Sequence, residues 1–307
     1  MTRTFSGVYP ALTTPFHEDG SIDFETFREH VRWVEAQGVH GVVPCGTTGE
    51  SATMTHDEHV EVIEAAVEAV DEVPVIAGSG SNNTREALDL SRRAADAGAD
   101  GLLLISPYYN KPEPAGMEEH FLTVADEVDL PQVVYNVPSR TGRNVEVDST
   151  VRLAAHENIT GYKAASGDLG QISEIIERTR DEEFTVLSGD DGVTLPVMSM
   201  GGTGTISVAA NVEPSRTSRM VEYALEEDYP PARELHHELG PLFRTLFVET
   251  NPIPVKEALE LRDRMSARMR PPLSRLEDDH RDRLREVLAA LESESGSEPE
   301  TEPEAEA

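Results

Sequence analysis

Short runs of β-branched and aliphatic residues alternate along this chain with longer stretches in which apolar residues return at helical spacing. Strands are predicted over residues 7–13, 41–45, 74–78, 101–106, 132–136, 159–164, 184–188 and 204–207. Amphipathic helices are predicted between them, over 23–37, 56–70, 84–97, 117–128, 148–156, 168–180 and 192–200. Eight strands each followed by a helix fit one closed parallel architecture, an α/β fold of the (β/α)8 TIM-barrel type. A repeated junction, Gln37-Gly38-Val39-His40-Gly41 and Ala97-Gly98-Ala99-Asp100-Gly101, supports it, because the first glycine of each suits a left-handed cap at a helix end. Beyond the eighth strand, residues 213–291 read as helix only, with breaks expected at Pro241, Pro252, Pro254 and the Pro271-Pro272 pair. The expected organisation is a barrel over 1–225, a C-terminal helical segment over 226–291 and a disordered acidic tail over 292–307.

Charge narrows the picture. The chain carries 26 basic and 58 acidic residues, a formal net charge of -32. Seven glutamates lie in the last sixteen residues, so the excess belongs to the body as well. Such a surface repels itself in dilute buffer, whereas about 1 M salt contracts the Debye length to roughly 3 Å and screens the repulsion. The reading is a solvated acidic surface suited to a salty cytoplasm. Nucleic-acid binding is disfavoured, since no basic stripe is present to meet phosphates. The single Cys45 excludes an intramolecular disulfide and a cysteine-based zinc site. No apolar run approaches the length of a membrane span and the first residues lack a signal-like apolar core, so a cytoplasmic protein without a membrane role is expected.

The chemistry centres on lysine, of which the chain has three copies. Lys163 lies within the strand-like run Ile159-Thr160-Gly161-Tyr162-Lys163-Ala164, where an ammonium group loses hydration and the neutral, nucleophilic amine is favoured. It is the candidate Schiff-base residue. Lys111 is expected to be exposed, and Lys256 to cap or pair near the helical segment without a strand's desolvation. In a barrel, reactive groups lie at the carboxyl ends of the strands. There the loop Gly46-Thr47-Thr48-Gly49-Glu50-Ser51 offers hydroxyls and amides for a small carboxylate or phosphate, or else forms an ordinary turn that caps the next helix. Tyr135 ends the strand before that of Lys163 and is either a core residue or a proton carrier for the amine's adducts. Arg140 either recognises an acidic substrate at the rim or caps structure. Tyr108 and Tyr109, in a proline-bounded loop, pack on their own barrel or reach across an interface. His56 and His59 share a helix face, yet no third ligand follows at a useful spacing, so no metal site is expected.

Taken together, these motifs match a known family. The segments Gly46-Thr47-Thr48-Gly49-Glu50-Ser51-Ala52-Thr53, Pro107-Tyr108-Tyr109-Asn110-Lys111-Pro112, Tyr135-Asn136-Val137-Pro138-Ser139-Arg140-Thr141-Gly142, Ser188-Gly189-Asp190-Asp191 and Asn251-Pro252-Ile253-Pro254-Val255-Lys256 resemble the dihydrodipicolinate (4-hydroxy-tetrahydrodipicolinate) synthases, pyruvate-dependent class I aldolases related to N-acetylneuraminate lyase. The resemblance runs from about Val8 to Pro272. It implies a (β/α)8 barrel, a homotetramer built as a dimer of dimers, and condensation of pyruvate with L-aspartate 4-semialdehyde through a lysine Schiff base, without a cofactor. Lys163 falls on the Schiff-base position and Tyr135 on the general acid/base. Thr47 and Tyr109 complete the proton relay, Tyr109 coming from the neighbouring subunit. The pair Thr47 and Thr48 matches the pyruvate carboxylate grip, Arg140 the group that orients the second carboxylate, and Gly189 and Ile206 match pocket-lining backbone.

The same resemblance implies an L-lysine feedback site at Ser51, Ala52, His56, His59, Asn82, Glu86 and Tyr108. The chain departs from the family at Ala164, where the synthases often carry glutamate. A related aldolase cleaving 2-keto-3-deoxygluconate or its phosphate, and a non-catalytic barrel that senses lysine or pyruvate, are the alternative readings; the Ser139-Arg140-Thr141-Gly142 segment and the joint presence of Lys163, Tyr135, Thr47 and Tyr109 argue against them.

Overall fold

The computed structural model describes residues 5–295. Seven parallel strands, β1 (Gly7–Pro10), β2 (Ile76–Gly78), β3 (Gly101–Ile105), β4 (Gln132–Asn136), β5 (Ile159–Ala164), β6 (Thr185–Ser188) and β7 (Gly204–Ser207), are bonded in the order β1-β7-β6-β5-β4-β3-β2. The expected strand at 41–45 closes the ring between β1 and β2 through single bridges, Ala11 to Val43 and Val42 to Val75, in place of a continuous ladder. Its backbone still bonds both ways, Val43 N to Pro10 O and Ile76 N to Val42 O, each at 2.9 Å. The ladder is interrupted because Pro44 brings no N–H and Cys45 turns into the left-handed region at φ 58°. The result is a closed (β/α)8 barrel with helices appended at its C-terminus.

Around the barrel lie α1 (Phe24–Ala36), α2 (His56–Ala69), α3 (Thr84–Asp96), α4 (Pro114–Glu127), the short α5 (Pro138–Thr141), α6 (Val147–Ala154), α7 (Leu169–Thr179), α8 (Thr194–Ser199) and α9 (Pro214–Leu225). Polar residues set where they begin. Asp23 accepts from Thr26 N at 3.0 Å to start α1, and Thr55 with Glu58 forms a reciprocal capping box that starts α2 at His56. The two glycine junctions divide their labour as their sequence implies. Gly38 and Gly98 sit at φ 86° and 93°, while a Cβ on Gly41 would lie 2.3 Å from the Tyr9 ring and one on Gly101 2.6 Å from Phe5. The α5 helix, which ends at Gly142 with φ 72°, was not anticipated, and it carries Arg140.

Alternation along the strands sorts the core into two layers. Tyr9, Val43, Ile76, Leu103, Val133, Tyr135, Leu187 and Ile206 pack inside the barrel. Their neighbours Val8, Val42, Leu102, Leu104, Val134, Tyr162, Ala164 and Val186 pack between sheet and helices. Since successive side chains of a strand face opposite ways, Tyr162 and Ala164 outside put Lys163 inside. Ala164 therefore belongs to the outer layer, on the other face of the strand from the amine.

The C-terminal segment forms α10 (Tyr229–Thr245), α11 (Ile253–Leu261) and α12 (Asp278–Ser295). Pro241 does not break α10 but lies within it. An internal proline costs about 3 kcal/mol, and four neighbouring buried side chains, Leu235, Leu239, Leu242 and Phe243, outweigh that at roughly 1.5 to 3 kcal/mol each. The last helix continues to Ser295, four residues into the stretch read as disordered; residues 296–307 lie outside the described residues. Arg281 of α12 donates to the buried Glu257 of α11 at 3.0 Å, which ties the two helices together.

Lys256 corrects an expectation. It pairs as foreseen, yet it is wholly buried, its Nζ reaching Glu50 Oε1 at 2.7 Å and Thr14 O at 2.9 Å. Burial draws its pKa down while the Glu50 charge opposes the fall. Glu50, itself left-handed at φ 58°, also accepts from Arg270 N at 3.1 Å. The loop 46–51 is thus clamped from below by the C-terminal segment. Removing one partner strands a buried charge, so Lys256→Met should lower unfolding free energy by about 3–5 kcal/mol, with part of the loss recovered in Lys256→Met/Glu50→Gln. Urea denaturation in concentrated KCl measures both; a single variant as stable as the parent would show the pair to be idle.

Candidate active site

Lys163 on β5 has Tyr135 of β4 as its Cα partner on one side and Leu187 of β6 on the other. Its side chain is 6% exposed. The amine lies 4.2 Å from the centroid of the Tyr135 ring, which sets the two side chains in contact inside the barrel. Burial pulls the Lys163 pKa down to about 7; the Asp191 charge works against the fall and that of Arg140 adds to it. Burial pushes the Tyr135 phenol up to about 12, moderated by the Arg140 charge and a hydrogen bond with Thr47. At neutral pH the pair is therefore an amine about half unprotonated facing a protonated phenol. That is the protonation pattern a nucleophile and its acid partner require.

Gly189, just beyond β6, explains how the lysine side chain fits. A Cβ there would come within 2.9 Å of Lys163 Cε and of Ala165 Cβ, so no larger residue is accommodated. Its N–H donates to Ala164 O at 2.7 Å, fixing the loop against β5. Ile206 of β7 is buried in the same inner layer as Tyr135.

At the mouth, the loop 46–51 is a tight turn, with Gly49 N donating to Gly46 O and Glu50 N to Thr47 O, each at 3.1 Å. Thr14 Oγ1 braces it on Gly49 O at 2.8 Å. Thr47 is half-buried and Thr48 buried. Thr48 Oγ1 accepts from Asn251 Nδ2 at 2.9 Å. Arg140 is exposed, its Nη2 donating to Asn251 O at 3.0 Å. A cavity of about 420 Å³ opens here, lined by Thr47, Tyr135 and Arg140 together with Ser51, Ala52, His56, His59, Glu86 and Tyr108. Thr47, Tyr135 and Arg140 thus share one cavity in the single chain with most of the residues expected to hold an effector, whereas Lys163, Thr48, Gly189 and Ile206 are not among the residues lining it. Asn82 is half-buried and is not among the residues lining it.

His56 and His59 part company. His56 is exposed, whereas His59 is buried with Nε2 2.5 Å from Gly78 O and its pKa lowered chiefly by that burial. Tyr109 is not brought to the amine by its own chain. Its ring is 87% exposed, on a left-handed backbone at φ 67°. Lys111 is exposed. Cys45 is buried, its thiol raised by burial and donating to His59 O at 3.3 Å.

Two residues with no role assigned from the sequence belong to this arrangement. Asp191 is buried and accepts from Ser207 Oγ at 2.5 Å, Ala209 N at 2.9 Å and Val208 N at 3.1 Å. Three donors hold a carboxylate whose charge acts on Lys163, even though burial raises its own pKa. The doubled acid after Gly189 was the available signal. Asn251, two residues before α11, meets both Thr48 and Arg140, and nothing in its local sequence announces contacts some two hundred and one hundred positions away.

Comparisons with known proteins accord with this geometry. A family model described as the Dihydrodipicolinate synthetase family matches residues 4–291. A 4-hydroxy-tetrahydrodipicolinate synthase from Haloarcula marismortui is 67% identical over 290 residues, covering 94% of this chain and 95% of that protein. Among solved structures, the chloride-inhibited dihydrodipicolinate synthase from Acinetobacter baumannii complexed with pyruvate is 39% identical with a TM-score of 0.92, covering 94% of this chain and 99% of that one. A structure of the enzyme from Cyanidioschyzon merolae with lysine bound is 37% identical with a TM-score of 0.91, over 94% and 98% of the two chains. By the extent of the family match and the identity to the Haloarcula protein, this chain belongs to the dihydrodipicolinate synthetase family.

Proposed function

We propose that the chain condenses pyruvate with L-aspartate 4-semialdehyde, forming 4-hydroxy-tetrahydrodipicolinate through a Schiff base on Lys163. The observation that carries this reading is the buried amine, drawn down to about 7, lying 4.2 Å from the ring of a phenol that stays protonated. The unprotonated Lys163 attacks the ketone carbon of pyruvate, and Tyr135 supplies the proton with which the carbonyl oxygen leaves as water. The resulting iminium withdraws electrons, so a methyl proton is lost and an enamine forms. Its carbon adds to the aldehyde, whose oxygen takes up a proton. The amino group of the added substrate then attacks the iminium carbon, closing the ring and releasing Lys163. No cofactor is required, because the iminium is itself the electron sink.

Thr47 and Thr48 are the proposed grip on the pyruvate carboxylate, which orients the enamine face, a positioning effect that contributes several kcal/mol. Arg140, exposed at the rim, is the proposed partner of the second carboxylate. Backbone at Gly189 and Ile206 is the proposed wall of the pocket on the Lys163 side, and the Asp191 charge is the proposed counterpart of the iminium. The solvated Tyr109 ring on its left-handed backbone fits a group that completes a neighbouring subunit's site in a homotetramer. The rival 2-keto-3-deoxygluconate aldolase reading is separated by product, since only the semialdehyde yields the cyclic compound. Cytoplasmic residence is proposed with this function; among the described residues no helix is long and apolar enough to cross a membrane.

A second ligand is favoured by the cavity's other wall. L-Lysine is proposed as an effector held by Ser51, Ala52, His56, His59, Glu86 and Tyr108, with Asn82 nearby. Glu86, whose carboxylate accepts from Ser81 Oγ at 2.8 Å, offers the anion for an ammonium group.

Three outcomes are expected. Borohydride trapping with pyruvate in concentrated KCl, followed by peptide mass mapping, places the adduct on Lys163 and on neither Lys111 nor Lys256; Lys163→Ala takes up none. For pyruvate, kcat/KM rises with pH through about 7 and then levels, because a lowered lysine pKa frees the amine above that value while the phenol holds its proton to about 12; an acid limb near 10 would contradict the buried-amine account. Initial rates fall when millimolar L-lysine is added, and rates indifferent to lysine would remove the effector role.

A further inference from the structure

Asn251 stands between the two groups proposed to bind anions, and its hydrogen bonds differ in kind. It is 5% exposed and lines the cavity. Its side-chain nitrogen donates to Thr48 Oγ1 at 2.9 Å, whereas its backbone carbonyl accepts from Arg140 Nη2 at 3.0 Å. The carboxamide oxygen is buried and meets no donor of the described residues. The side chain is therefore held from its nitrogen side alone.

A hydroxyl has one proton and two lone pairs. If Thr48 were to donate to Asn251, that proton would be spent on the protein. As acceptor of the Asn251 N–H, Thr48 keeps its proton for a ligand, and a carboxylate, which only accepts, is the ligand that makes most use of it. The bond also stops the hydroxyl from rotating freely, so less freedom is lost when the anion arrives. The donor is itself fixed. Asn251 is joined through a short run of chain to α11, whose Lys256 is clamped on Glu50 of the threonine loop.

We infer that Asn251 is a positioning residue whose carboxamide presents Thr48 as a hydrogen-bond donor to the carboxylate of the keto acid. This rests on the reading of Thr48 as part of that grip. Asn251 acts through Thr48 and takes no part in bond making. Its link to Arg140 runs through the backbone, which side-chain substitution leaves in place, so the two substrates should respond differently.

The test measures kcat and the separate KM values for pyruvate and aspartate semialdehyde in concentrated KCl, for Asn251→Asp, Asn251→Ala, Thr48→Val and Asn251→Ala/Thr48→Val, with thermal midpoints recorded alongside. Aspartate has the shape of asparagine but only accepts, so it takes the Thr48 proton and sets a negative charge beside the grip. The expected result for Asn251→Asp is a pyruvate KM raised about 10- to 100-fold, as for loss of a hydrogen bond to a charged group, with the semialdehyde KM within about twofold of the parent. Asn251→Ala raises the pyruvate KM less, and adds little once Thr48 is valine. The inference is overturned if Thr48→Val raises the pyruvate KM while Asn251→Asp leaves it unchanged, if both KM values rise together with a fallen midpoint, or if the double variant is simply additive. A Thr48→Val enzyme with unaltered pyruvate KM removes the grip itself, and the inference with it, while leaving the Lys163 chemistry to stand on the trapping result.

Discussion

The withdrawal of one ammonium group from water is the constraint to which the rest of this structure answers. Near the carboxyl end of β5, flanked by two strands and against the Tyr135 ring, the Lys163 amine has little hydration left. Keeping it charged there costs free energy, so the proton is released near neutrality, and the same burial that is unfavourable for an ion creates a nucleophile. The surroundings limit this effect. Asp191, anchored by three donors, offsets part of the desolvation and supplies a negative field for any cation formed at the nitrogen.

The contrast with Lys256 shows why burial is not sufficient. Both lysines are buried and both have lowered pKa values, with desolvation as the first cause. Lys256 donates to a carboxylate and a carbonyl at hydrogen-bond distance, acceptors that hold it as the ammonium and commit its protons to structure. Lys163 faces an aromatic ring and the space left by a glycine. Partner chemistry, more than depth, separates a reactive amine from a bolt. The bolt has its own function, since it links α11 to the loop bearing Thr47 and Thr48, which makes the C-terminal helices part of the mouth's architecture.

What could be read from the sequence follows the range of the interactions involved. The run of short strands placed Tyr135 at the end of the strand before that of Lys163, and the glycine junctions set helix ends, because those signals are local. The strand at 41–45 was legible as a stave but not as a broken ladder, which depends on Pro44 and on the conformation of Cys45. Asn251 with Thr48, Lys256 with Glu50 and the burial of Glu257 escaped, since each joins the C-terminal segment to residues far away or hides a charge on a helix whose pattern does not mark it. Pro241 was misread because a propensity was weighed without the apolar face that overrides it. Ala164 gained its meaning from the fold, which turns that position toward the helices and away from the amine.

Two of the three lysines are enclosed and the third, Lys111, is exposed, while arginine supplies the remaining basic side chains of the chain. A catalyst of the proposed reaction lives among aldehydes and keto acids, reagents that condense indiscriminately with free amines. A coat from which such amines are almost missing resists that slow tanning. The acidic, arginine-rich exterior thereby protects the enzyme from its own reactants, quite apart from any benefit in brine.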